Sequence, residues 1–370
     1  MRIIDFTLVM AGPFCTRLFA DMGAEVIKVE PPTGDAMRAR PPQQDGHSRY
    51  FGHLNCGKRS IALDLKARRD REIALKLIET ADVVVENFRP GVMERLGLGY
   101  ETLKSLNPRL IFCSISGYGQ RGSAADKPAY APVIHASSGY DLTLKGFSPE
   151  AGPPTPTGMF VADAIAGVYA FGAIQAALYQ REKTGQGQQI DVALMDSIMS
   201  MMVYECQEAQ LPQARKRHVY GPLKAKDGYV IAAPLSQKNF DSLVALLDHP
   251  DWARDERYTS AAGRERNWGE IMTHIEAWTV ERSAAECERL MAEADVPAAR
   301  YRTVGEAMAD PALVERGFLQ TVEDGGGAYH VFAAPFKMSG WDVRASAHVP
   351  ELNADLQTYL DELAMTARSA

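Results

Sequence analysis

Cysteine is sparse in this 370-residue chain, and it is badly spaced for chemistry. Cys15, Cys56, Cys113, Cys206 and Cys287 are odd in number, scattered, and never form a Cys-x-x-Cys pair. That argues against a disulfide framework and a cysteine-based zinc site, so no metal is expected and the thiols are expected to stay reduced. Positive charge is not in excess: 40 Lys and Arg stand against 47 Asp and Glu, a net charge of −7. A nucleic acid or an anionic membrane is therefore not the expected partner. No Gly-x-Gly-x-x-Gly follows the first strand-like run, so the usual dinucleotide fingerprint is missing. The start, Met1-Arg2-Ile3-Ile4-Asp5, reads directly as a strand rather than a signal peptide, and a cytoplasmic location is the expectation. Long apolar runs are missing too, with one exception.

That exception runs from Met159 to Tyr179, where Asp163 is the only ionisable acid or base apart from the tyrosines. A segment apolar all round reads as a helix buried on every face. Ala and Gly dominate it, and a mid-membrane Asp would cost about 2.5–3.5 kcal/mol, which disfavours a membrane span. Asp163 follows the breaker Gly158 near the helix start, where free N–H groups favour the ionised form. An ionised, partly desolvated carboxylate is a nucleophile; the alternative is an Asp that merely caps its own helix.

Elsewhere, residues 1–130 alternate strand and helix signals. Strands are predicted over Arg2–Phe6, Glu25–Glu30, Ser60–Leu65, Asp82–Glu86 and Leu110–Ile115, and another, Gln189–Leu194, follows the apolar helix. Helices are predicted over residues 13–22, 68–80 and 100–106. The pattern indicates a mainly parallel sheet with helices on both faces. Three strand-end loops carry residues suited to a phosphorylated nucleotide: Met10-Ala11-Gly12-Pro13, the cations Lys58, Arg59 and Lys66 around one strand, and Asn87-Phe88-Arg89 with Arg95 beyond. Taken singly, Lys58, Arg59 and Arg95 read first as ordinary solvated ion pairs, since most surface charges do nothing specific. From Gly221 the pattern changes to a hairpin around Lys226-Asp227-Gly228, then helices over residues 237–247, 267–278 and 283–295. Gly325-Gly326-Gly327 reads as a tight turn between strands, and the last twenty residues as an amphipathic helix.

Several of these stretches, taken together, resemble the family III CoA-transferases, a group that includes formyl-CoA transferase, carnitine CoA-transferase and α-methylacyl-CoA racemase. They are Asp5-Phe6-Thr7 with Ala11-Gly12-Pro13, residues 23–30, Lys58–Lys66, Glu86-Asn87-Phe88-Arg89-Pro90-Gly91, residues 183–188 and Ala294-Asp295-Val296-Pro297-Ala298. The resemblance spans essentially the whole chain. It implies an α/β fold: a Rossmann-like large domain over residues 1–200, completed by residues 326–370, and a smaller α+β domain over residues 222–325. It implies an interlocked homodimer, and an acyl-CoA with a small carboxylic acid as substrates. It puts the nucleophile on Asp163 and contacts to coenzyme A on Met10, Ala11, Leu63, Lys66, Asn87, Phe88, Arg89, Arg95, Lys127, Ala129 and Tyr130. Two departures stand out. Where formyl-CoA transferase has an arginine this chain has Pro31, leaving Arg38 or Arg40 for the nucleotide end, and the glycine-rich loop expected at the start of the small domain is absent.

The implied reaction is CoA transfer through a covalent aspartyl anhydride and an aspartyl-CoA thioester. The alternative is an acyl-CoA racemase or epimerase of the same superfamily. The racemase histidine aligns with Tyr130, and a neutral tyrosine is a poor base at pH 7. His135, five residues on, is expected to be structural or to shape the substrate site. The transferase reading is preferred.

Overall fold

The computed structural model describes residues 1–146, 153–154, 156–212 and 220–369. Residue 370, the expected limit of the large domain, lies outside the described residues. Residues 1–210 and 312–370 form one compact unit, and residues 211–311 a second.

The first unit is built on six parallel strands: β1 (Arg2–Asp5), β2 (Glu25–Glu30), β3 (Arg59–Ala62), β4 (Val83–Glu86), β5 (Ile111–Ser116) and β6 (Gln188–Ala193). Their order is β3-β2-β1-β4-β5-β6, the arrangement of a doubly wound sheet whose order reverses beside β1. Alternate side chains leave opposite faces of each strand. Ile3, Val83 and Val85 therefore join one core cluster, and Ile4 and Val84 the other.

On the first face lie helices α1 (Ala11–Asp21), α4 (Ala131–Ser138), α5 (Val161–Thr184) and α6 (Leu194–Met199). On the second lie α2 (Arg68–Glu79), α3 (Tyr100–Leu106) and the C-terminal helix Leu356–Ser369. That last helix begins at Leu356, after Asp355 turns aside to accept the Ser60 amide. The hairpin Leu319–Asp324 with Gly327–Phe332 belongs to the first unit, where Val322 and Val331 pack with Phe51 and Cys56. The second unit carries a three-stranded antiparallel sheet, Leu223–Ala225, Gly228–Ala232 and Ala298–Arg300, packed against helices around Phe240, Ile271 and Cys287.

Helix α5 departs from the sequence expectation. Within one chain its buried residues, among them Ala162, Ala166, Gly167, Ala170, Ile174 and Ala177, form a single stripe. The opposite face leaves Val168 49% exposed and Tyr179 66% exposed. The stripe consists of small residues because α5 lies hard against α1. A Cβ on Gly167 would stand 2.7 Å from the Ala11 carbonyl oxygen. By length and composition α5 could cross a membrane, yet its small-residue stripe is part of the sheet-facing core.

Lys58 also departs from expectation. It is 1% exposed, neither solvated nor turned to a ligand. Its ammonium lies 3.0 Å from Asp5 Oδ2 and donates to Pro13 O, Thr16 Oγ1 and Asn55 Oδ1. Burial opposes the Asp5 carboxylate, but Lys58, Lys28, Thr7 and Thr16 outweigh it and hold the carboxyl below its usual range. Replacing Lys58 alone strands a buried anion, at a cost of about 3–5 kcal/mol. Lys58→Met should therefore lower the urea midpoint of the protein markedly, with partial recovery in Lys58→Met/Asp5→Asn. A midpoint equal to that of the natural protein would show that the pair does not hold the fold.

Candidate active site

Beyond the ends of β1, β4 and β5 the large unit encloses a cleft of about 220 Å³. Strand register builds it. Asp5 is paired with Val85 and Val85 with Cys113, so the chain segments leaving these three strands open side by side. The first contributes Leu8, Val9, Met10 and Ala11, the second Asn87 and Phe88, and the third Gly117, together with Ile115 and Ser116 at the end of β5 itself. Ala129 and Tyr130, just ahead of α4, close another side, with Leu194 of α6. Asp163 enters from the first turn of α5. The close packing of α5 on α1 is what carries it there.

Asp163 is the only ionisable acid or base in the cleft lining apart from Tyr130. Among the described residues no hydrogen bond or ion pair reaches its carboxylate. Burial alone raises its pKa to about 6, because a desolvated anion without a partner loses its hydration. At pH 7 the group is still mostly ionised. The helix start that carries it is fixed by His135, whose Nε2 accepts the Ala162 amide at 3.1 Å. His135 is 2% exposed, and burial pushes its pKa below the ordinary histidine value. It is spent as a neutral acceptor, positioning the turn next to Asp163.

Of the sequence-derived candidates, Met10, Ala11, Asn87, Phe88, Ala129, Tyr130 and Asp163 line this one cleft. Tyr130 stands at its rim, 70% exposed. Lys66, Arg89, Arg95 and Lys127 lie outside the lining, exposed on the same unit and unpaired among the described residues. Leu63 is buried in the core cluster beneath α2. Arg38 is committed elsewhere: it forks onto Glu30 at 2.7 and 2.8 Å and lies 3.9 Å over the Phe51 ring. Arg40 is exposed.

Sequence reasoning missed Tyr50. Its hydroxyl is buried without a hydrogen-bond partner, and burial and then the nearby Asp163 charge push its pKa up. Nothing in the polar stretch before it signals that placement. A larger hollow of about 670 Å³ shares no residue with the cleft, and its wall carries three acids, Glu94, Glu101 and Asp191, against one cation, Arg121. Among the described residues, no group of three or more His, Cys, Asp or Glu is gathered as a metal site.

The raised pKa of Asp163 makes its charge a stability cost with a definite pH window. Well below the unfolded value of 3.8 the group is protonated in both folded and unfolded chains, and the cost is absent. It grows between the unfolded value, 3.8, and the folded value, about 6, and is complete above that. Asp163→Asn should therefore stabilise the fold by about 3 kcal/mol at pH 8 and by only about 0.5 kcal/mol at pH 4. Denaturant unfolding at the two pH values checks this; equal effects at both would mean that the carboxylate is not strained.

This chain matches the family described as CoA-transferase family III over residues 1–356. It is 35% identical to the succinyl-CoA:mesaconate CoA-transferase of Haloarcula hispanica, over 98% of this chain and 95% of that protein. It is 36% identical to the acetyl-CoA:oxalate CoA-transferase of Acetobacter aceti, over 92% of this chain and 89% of that one. Among solved structures, a CAIB/BAIF family protein from Brucella suis matches with a TM-score of 0.84 at 31% identity, covering 98% of both chains. With a parallel α/β sheet and a lone carboxylate at its strand-end cleft, the chain belongs to CoA-transferase family III.

Proposed function

We propose that this enzyme moves CoA from an acyl-CoA donor to a free carboxylic acid, with Asp163 as the covalent nucleophile. The observation that carries the reading is the partnerless, mostly ionised carboxylate in an otherwise neutral and mainly apolar cleft. A thioester and the amide-bearing arm of CoA are neutral, and suit such walls. The phosphates of CoA suit the exposed cations Lys66, Arg89, Arg95 and Lys127 outside it. Relatives named for succinyl, acetyl, mesaconate and oxalate substrates support small carboxylic acids as donor and acceptor.

In the proposed cycle an Asp163 oxygen attacks the thioester carbon, the C–S bond breaks, and a mixed anhydride and CoA thiolate result. The thiolate attacks the aspartyl carbonyl, releasing the donor acid as carboxylate and leaving an aspartyl-CoA thioester. The acceptor carboxylate attacks that thioester and expels the thiolate, forming a second anhydride. The thiolate then attacks the acceptor acyl carbon, giving the new acyl-CoA and the Asp163 carboxylate. Bond energy passes along the sequence without ATP, provided water is kept from the anhydrides, and the mainly apolar lining suits that need. A racemase would need a base at the position of Tyr130, while His135 is engaged by Ala162.

Asp163→Ala should lose CoA transfer to background while still binding CoA. In the natural protein, acyl-CoA followed by hydroxylamine should leave a hydroxamate on the peptide containing Asp163. The kcat/KM profile should rise with pH and level off above an apparent pKa of about 6. Transfer persisting in Asp163→Ala, or the hydroxamate forming elsewhere, would sink the nucleophile assignment.

The reading includes an interlocked homodimer. Support comes from the uncovered apolar face of α5, with Val168, Tyr169 and Tyr179, and from exposed Met199, Met201 and Val203 in the segment after it. A patch of this kind on one chain calls for a cover, and a second copy supplies one. Light scattering should give twice the mass of one chain at micromolar concentration; a monomer at that concentration would remove this part of the proposal.

A further inference from the structure

One wall of the cleft is a strained turn. Val9 has φ 70°, and among the described residues the other non-glycine residues with positive φ are three Asp and one Asn. Asp and Asn tolerate this region, whereas a β-branched side chain there is a genuine outlier and costs about 1–3 kcal/mol. Such a conformation persists only where its surroundings enforce it. The chain before Val9 is held first by Lys28, which donates to Thr7 O at 2.8 Å. It is held next by Asn87. The Leu8 amide donates to Asn87 Oδ1 at 2.8 Å, and Asn87 Nδ2 donates to Leu8 O at 2.7 Å. Both ends of one side-chain amide thus close on one residue's backbone, immediately before the strained position.

Register explains how Asn87 reaches it. Phe6 donates its amide to Val85 O, so the exit of β1 runs beside the exit of β4. Glu86 Oε2 accepts the Phe88 amide and tightens the turn on which Asn87 sits.

We infer that Asn87 is a positioning residue that clamps Leu8 and thereby holds Val9 and Met10 as a preformed wall facing Asp163, rather than a residue that grips CoA with its side chain. Each of its two polar atoms is engaged with Leu8, which fixes the orientation of the side chain toward the turn. This rests on the reading of the cleft as the place where acyl-CoA meets Asp163, and it changes the role of one residue in that site. Loss of the clamp lets the turn relax toward an ordinary backbone conformation and displaces the wall.

The test is a double-mutant cycle on CoA transfer, using the full-length protein with one acyl-CoA donor and one carboxylate acceptor. Asn87→Ala should lower kcat/KM by about 10- to 100-fold, the scale expected when a wall group is misplaced by about 1 Å. Glycine adopts positive φ without strain, so a Val9→Gly background needs the clamp less. There the loss on Asn87→Ala should be smaller by about threefold or more. Whatever Val9→Gly does by itself cancels in the cycle. A loss that differs by less than about threefold between the two backgrounds overturns the clamp and returns Asn87 to direct CoA contact. If Asn87→Ala does not fold, Asn87→Asp takes its place, since it keeps the acceptor for the Leu8 amide and removes the donor to Leu8 O. Failure of the Asp163 reading would show separately, as transfer retained by Asp163→Ala, because this cycle needs only an activity to compare.

Discussion

The large unit depends on one buried ion pair, Asp5 with Lys58. Asp5 ends the central strand β1, and its carboxylate also accepts from the hydroxyls of Thr7 and Thr16. Lys58 reaches in from the start of β3 and binds Pro13 O and Thr16 Oγ1 in α1. One charge cluster thus ties together the exit of β1, the first turns of α1 and the approach to β3. An apolar contact could slide without much cost. A buried anion and a buried cation cannot, because each shift leaves a desolvated charge uncompensated. The turn at Leu8, Val9 and Met10 begins at this anchor, so the cleft wall inherits its position from the cluster.

Asp5 and Asp163 are the same chemical group in opposite surroundings. Two lysines and two hydroxyls surround Asp5 and hold its pKa low, which makes it an inert structural anion. Asp163 has no partner among the described residues, and burial raises its pKa to about 6. When two carboxyls in one fold are pushed apart in this way, the unsatisfied one is the candidate for chemistry. Its strain is tolerable because α5 is held elsewhere: Gly167 lets the helix approach α1, and His135 answers the Ala162 amide. The positioning energy comes from neutral packing and one hydrogen bond, which leaves the carboxylate itself free.

Much of this architecture was legible in the chain. Short β-branched runs such as Val83-Val84-Val85, separated by helical periods, announce a parallel sheet, since strands covered on both faces need apolar side chains in both directions. The predicted strand and helix limits lie within a few residues of those observed, and Tyr100–Leu106 coincides with its helix. Asp163 stood out because a lone charge in an apolar run is costly wherever it folds. Other features were not legible. Lys58 in a Gly-Lys-Arg stretch reads as a loop cation, and nothing local reveals that Asp5 waits for it across the sheet. Tyr50 gave no signal, because its place beside Asp163 is set by contacts distant in sequence.

By itself, then, the sequence determined the elements, the parallel sheet and one unusual carboxylate, since these follow from local periodicity and from the price of burying charge. Only the tertiary structure decided which face of α5 is covered within the chain, which cations are buried and which remain free, and that the Asn87 side chain is used on Leu8. These depend on strand register and helix approach. Asp5 lies beside Val85, and so Leu8 lies within reach of Asn87. Such juxtapositions are fixed by how distant segments pack, and residue type and spacing along the chain carry no record of them.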